Sequence, residues 1–204
     1  MTPSYQHRRS ASLHSRSPLH PQGMLHSQGM LHPQGMLHPQ GFLATILADC
    51  ARIRREQGRP PLAATLDVAT QHEQALVADP TLVRRVLEPL IRRAMESAAQ
   101  PDASGESPVV REVVVTSVDL GSAIEIEVAD SGPALPEPVR RWLNETADGL
   151  DASSITPDGA GLALAAVRAA ATRIDGTLSA VNCPEGGVAI TLRLPRRQAQ
   201  RLAA

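Results

Sequence analysis

The sequence predicts an α+β fold, a mixed or antiparallel sheet with helices packed on one face. Three observations carry this. Leu82, Val83, Val86, Leu87, Leu90, Ile91, Ala94, Met95 and Ala98 recur at the spacing of one helical face. Val109–Val118 and Ala123–Asp130 form one pair of alternating strands, and Thr177–Val181 and Val188–Leu194 form a second. The elements then run helix, strands, helix, strand pair, helix, strand pair, an order that suits strands and helices in separate layers.

Residues 1–41 stand apart. From Leu19 the chain repeats a hexapeptide, LHPQGM, LHSQGM, LHPQGM, LHPQGF, and six of the seven histidines lie in residues 1–41. A period of six built on Pro, Gly and Gln makes no amphipathic face, so a disordered tail is expected. A His-rich metal tract is the competing reading. It lacks acidic or Cys partners, and Pro or Ser follows each repeat His.

The folded part begins at Phe42. FLATILADCARIRREQG reads as an N-terminal helix, 42–58, closed by Gly58 and the Pro60-Pro61 break. Its apolar residues can pack on the domain or on a second copy. Pro61-Leu62 through Val68 and Ala75–Ala78 read as strands. Asp79 and Pro80 suit the cap and first turn of the long helix. A short helix covers 136–144, a polar segment runs over 145–158, and Gly159-Ala160-Gly161 opens an Ala-rich helix to about Arg173. The domain spans 59–195, and 196–204 is an Arg-containing tail.

Composition excludes several functions. All 20 Lys+Arg residues are Arg, so lysine-nucleophile and Schiff-base chemistry is absent. A net charge of −1, with one each of Phe, Tyr and Trp, gives no case for nucleic acid or an anionic membrane. No apolar run approaches the roughly 20 residues of a membrane span. No h-region follows Arg8 and Arg9, so a signal peptide is not expected. Cys50 and Cys183 match no metal or redox spacing and read as reduced thiols of a cytoplasmic protein.

One residue resists a purely structural account. Asp130 ends a strand that should be buried, and an unpaired carboxylate there would cost several kcal/mol (roughly). It either starts a turn or caps the Pro136 helix, or it receives a donor in a pocket.

Three segments, DPTLVRRVLEPLIRRAMESA, IEIEVADSGPALPEP and DGAGLALAAVRAAATRIDGTLSAVNCPEGGVAITLRLP, occur in that order. Together they resemble the ATP-binding catalytic domain of sensor histidine kinases, in the wider family of gyrase, Hsp90 and histidine kinases, over roughly 62–195. The resemblance implies a two-layer Bergerat-type ATP-binding fold. It also implies that Asp130 accepts from the adenine amino group, that Gly132 lets backbone approach the base, and that Gly159 and Gly161 open the lid helix beside the phosphates. ATP is thus the implied cofactor.

The sequence departs from that pattern at the metal. Arg93 stands where the resemblance places an Mg²⁺-ligating asparagine, and guanidinium has donors only. Pro89 replaces a second polar residue, and the stretch Gly132-Pro133-Ala134 lacks the second glycine of the pair. Three readings of Arg93 stay open: it meets the triphosphate directly, it pairs with Asp130 or a neighbouring acid and fills an empty pocket, or it extends to water. Helix 42–57 carries no phosphoacceptor histidine, and His72-Glu73 lies between two predicted strands. Two functions follow as expectations. One is a degenerate relative with weak or no nucleotide binding and a regulatory role. The other is an ATP-dependent histidine or serine kinase acting in trans. Either would work through a protein partner (a response regulator, a kinase or a sigma-factor-related protein), with homodimerisation a further expectation.

Overall fold

The computed structural model describes residues 31–32, 36–37, 39–69, 76–77, 79–100, 111–145 and 159–196. Among them are β1 (Leu31–His32), β2 (Met36–Leu37), α1 (Pro39–Glu56), β3 (Ala63–Val68), β4 (Leu76–Val77) and α2 (Pro80–Ala98). There follow β5 (Glu112–Asp119), β6 (Ala123–Asp130), α3 (Glu137–Asn144), α4 (Gly159–Thr172), β7 (Thr177–Asn182) and β8 (Val188–Pro195).

The main sheet has five strands in the order β3-β5-β6-β8-β7. The β3–β5 pair is parallel, and the other three pairs are antiparallel. The mixed α+β sheet is therefore observed. β5 and β8 bury alternate residues, as a sheet with helices on one face requires.

α2 carries the core. Asp79 caps it as its side chain accepts from the Thr81 N–H at 2.8 Å, and Pro80 occupies the first turn where its missing N–H is harmless. Val83, Val86, Leu87, Leu90, Ile91, Ala94, Met95 and Ala98 are buried, so the apolar stripe read from the sequence is the buried face except at Leu82, which is only partly buried. That face packs on β5 and β6, with α4 and α1 as helical neighbours.

α1 belongs to the same core through Phe42, Leu43, Ile46, Leu47 and Cys50. Of the two placements open to it, packing on the domain is the one observed. It starts at Pro39, three residues before the expected start at Phe42, because Pro suits a first helical turn. Within the expected tail 1–41, four further residues are described. Leu31–His32 and Met36–Leu37 pair with each other, and the second pairs with β4, which lies outside the main sheet. The segment containing His72-Glu73 falls outside the described residues.

Candidate functional site

The site lies where β6 ends beneath α2. Asp130 pairs with Val113 of β5 on one side and Val188 of β8 on the other, so the sheet fixes its backbone from both edges. Its side chain is 1% exposed. Oδ1 accepts from the Gly132 N–H at 2.9 Å, and Oδ2 accepts from Arg93 Nη1 at 3.2 Å. Burial pushes the Asp130 carboxyl above the usual carboxylate range, against the opposing pull of Gly132, Arg93 and Ser97. The alternative in which Asp130 caps the following helix does not hold: Pro136 is the cap residue of α3, with no side-chain bond.

Arg93 therefore does what one of its three readings requires: it pairs with Asp130. It sits on the flank of the α2 stripe, half-buried, and reaches the strand end below. Arg84 and Glu88, on the outer face of the same helix, pair with each other at 2.9 Å, and Arg84 also meets Asp49 of α1.

Two glycines are dictated by close backbone approach. A Cβ at Gly132 would collide with the Ser97 hydroxyl and lie 2.6 Å from the Ser97 carbonyl oxygen. Gly132 thus lets the strand end pass under the last turn of α2. Gly187 has φ +92°, and a Cβ there would collide with the Asp130 carbonyl oxygen.

The loop after Asp130 is held by a residue that sequence reading missed. The Asn182 side chain accepts from the Leu135 N–H at 2.9 Å and donates to the Leu135 carbonyl at 3.0 Å. Nothing local marks Asn182, since its partner is 47 residues away. Arg168 of α4 was missed too. It donates to the carbonyls of Trp142 and Glu145 and lies 4.6 Å over the Trp142 ring, satisfying the exposed end of α3. Trp142 is buried, as an apolar anchor should be.

A cavity of about 200 Å³ borders the site, lined by residues that include Arg93, Ser97, Leu135, Val139 and Leu164. Gly159 and Gly161 lie in the first turn of α4, and Leu164 of the same helix lines this cavity. The structure thus brings Arg93, Asp130 and Gly132 into one cluster and places the glycine pair at the start of the neighbouring helix.

Residues 78–198 match the family of histidine kinase-, DNA gyrase B- and HSP90-like ATPases. The chain belongs to this family. Among curated relatives, the signal transduction histidine-protein kinase AfsQ2 of Streptomyces coelicolor is 35% identical over 118 residues, covering 58% of this chain and 20% of that protein. The sensor-type histidine kinase PrrB of Mycobacterium tuberculosis is 32% identical over 122 residues, covering 59% of this chain and 26% of that protein. The chain thus spans about a quarter or less of these relatives' length.

The catalytic domain of the histidine kinase ThkA superposes with a TM-score of 0.58 at 17% identity, over 78% of this chain and 93% of that one. Full-length ShkA in complex with AMPPNP gives 0.61 at 18% identity, over 84% of this chain and 33% of that one. Both establish the histidine kinase ATPase fold. No helix among the described residues is long and apolar enough to cross a membrane.

The site residues fit the family's cofactors unequally. Arg93 has no lone pair for a metal ion. Among the described residues, no group of three or more His, Cys, Asp or Glu could hold one. A ligand amino group seeking Asp130 Oδ2 would meet Arg93 there first.

Proposed function

We propose that this chain is a degenerate histidine kinase-type ATPase-domain protein of signal transduction. In this reading nucleotide binding is weak or lost, and the domain works as a regulatory module that binds a protein partner in the cytoplasm. The observation that carries it is the Arg93–Asp130 ion pair, in which an internal cation holds the buried carboxylate. A ligand donor must compete with Arg93 for the Asp130 carboxylate, exchanging a charge-assisted bond for a weaker neutral one. Mg²⁺ has no ligand at Arg93, so phosphates would lose the metal's charge unless Arg93 itself supplied it. The partner class remains a response regulator, a kinase or a sigma-factor-related protein, with self-association as a further mode.

The retained Asp130, Gly132, Gly159 and Gly161 favour a second reading, an active kinase that phosphorylates a partner in trans. Calorimetric titration of ATP, with and without Mg²⁺, into the full chain and into Arg93→Asn separates the two. The degenerate reading expects no saturable heat in wild type and Mg²⁺-dependent binding in the variant. Micromolar Mg²⁺-dependent binding by wild type would overturn it.

A further inference from the structure

The cavity beside the ion pair has a chemistry of its own. Its walls are apolar at Leu135, Val139 and Leu164, and its polar groups include Arg93 and Glu96. Guanidinium carries five N–H donors. Among the described residues Arg93 makes one hydrogen bond, to Asp130, so its other donors have no protein acceptor there. Its side chain is 22% exposed and borders the cavity.

Charge decides what those donors would receive. Asp130 already offsets Arg93, and Glu96 adds a second carboxylate to the cavity wall while pairing with Arg59 at 3.4 Å. The cavity therefore offers hydrogen-bond donors without a surplus of positive charge, which disfavours an anion. Size narrows the choice further. About 200 Å³ is below the roughly 300–1,000 Å³ of sites for drug-sized ligands, so a single ring fits better than a nucleotide.

We propose that this cavity binds a small uncharged molecule whose carbonyl or oxo oxygen accepts from Arg93. Its apolar body would pack against Leu135, Val139 and Leu164. The inference rests on the reading above, in which the Arg93–Asp130 pair persists in the working protein. Such a ligand would contact α2, the 133–136 loop, α3 and α4 at once, and so would tie the regulatory module's occupancy to the packing of those elements.

The test uses three probes of similar shape on the full chain: acetophenone, ethylbenzene and benzoate, each titrated by calorimetry. Acetophenone is expected to saturate and to bind roughly tenfold more tightly than ethylbenzene, the ratio one hydrogen bond to a charged donor supplies. Benzoate is expected to bind no better than ethylbenzene. Arg93→Met should erase the preference for acetophenone. Because that variant leaves Asp130 without its cation, Arg93→Met/Asp130→Asn is measured beside it, and Leu164→Trp, which fills the cavity, should abolish binding.

Equal affinity for acetophenone and ethylbenzene would overturn the proposal. So would a preference for benzoate, no saturation by any probe, or a preference that survives the loss of Arg93. ATP with Mg²⁺ is titrated in parallel. Tight ATP binding would sink the degenerate reading, whereas the acetophenone–ethylbenzene ratio judges the cavity's ligand class.

Discussion

The Arg93 and Asp130 side chains are bonded at 3.2 Å but unequally buried, 22% exposed against 1%. Their removal is therefore not symmetric. Arg93→Met strands a carboxylate in the interior and should cost about 3 kcal/mol at neutral pH, near the lower end for breaking a buried pair. Asp130→Asn leaves a cation that can extend to water, and its amide oxygen still accepts from Gly132, so about 1 kcal/mol is expected. Urea denaturation of both variants at pH 7 measures the difference. A larger loss in Asp130→Asn would show that Arg93 is the more trapped partner.

The pH dependence follows from the direction of the Asp130 shift. Its folded pKa is raised by burial. The folded state therefore keeps this proton in a window where the unfolded chain, titrating near 3.9, has released it. The contribution of Asp130 to stability is fullest below that value and is lost as pH rises through the folded pKa. Wild type should thus lose stability relative to Asp130→Asn as pH is raised from about 4. Parallel thermal melts across this range would reveal a flat difference if the shift were absent.

Gly186 and Gly187 form a matched pair of controls. Both have positive φ, +98° and +92°, but a Cβ at Gly186 meets nothing within 4 Å, whereas one at Gly187 collides with the Asp130 carbonyl. Alanine at Gly186 should cost about 1–2 kcal/mol of backbone strain. Alanine at Gly187 should exceed it by about 2 kcal/mol, the scale of an overpacked core. Equal losses would mean that the β7–β8 turn moves away from Asp130 freely.

The two thiols should separate by reactivity. Burial pushes Cys50 up to about 11, and burial also raises Cys183, which is only half-buried. A disulfide reagent at pH 8 should label Cys183 first, while Cys50 reacts on the timescale of unfolding. Rapid labelling of both would show that α1 detaches readily from α2.

Legibility in the sequence followed the range of each interaction. The α2 stripe, the Asp79 cap and the strand pairs were readable because periodicity and capping act within a few residues. The pairing of Arg93 with Asp130 was one of three open readings, because helical spacing places Arg93 on a flank without saying what lies below it. Only the docking of α2 on β6 answers that. Asn182 was invisible for the same reason, and its bonds to Leu135 depend on β7 reaching the sheet edge. At the end of the repeat tract composition argues only against an amphipathic face and is silent on two-residue strands, which need only backbone partners such as β4 supplies.

The parallel β3–β5 ladder has a kinetic consequence. The β5–β6 and β7–β8 hairpins close short connections, whereas Ala63 meets Glu112 only across the span that contains α2. Loop-closure entropy places that pairing after the local ones. Without α2 in place, Asp130 at the end of β6 would face water with no Arg93 beside it. Docking α2 dehydrates the carboxylate and delivers Arg93 in the same movement. Covering the Asp130 carboxylate and supplying its cation are thus the work of one helix, α2.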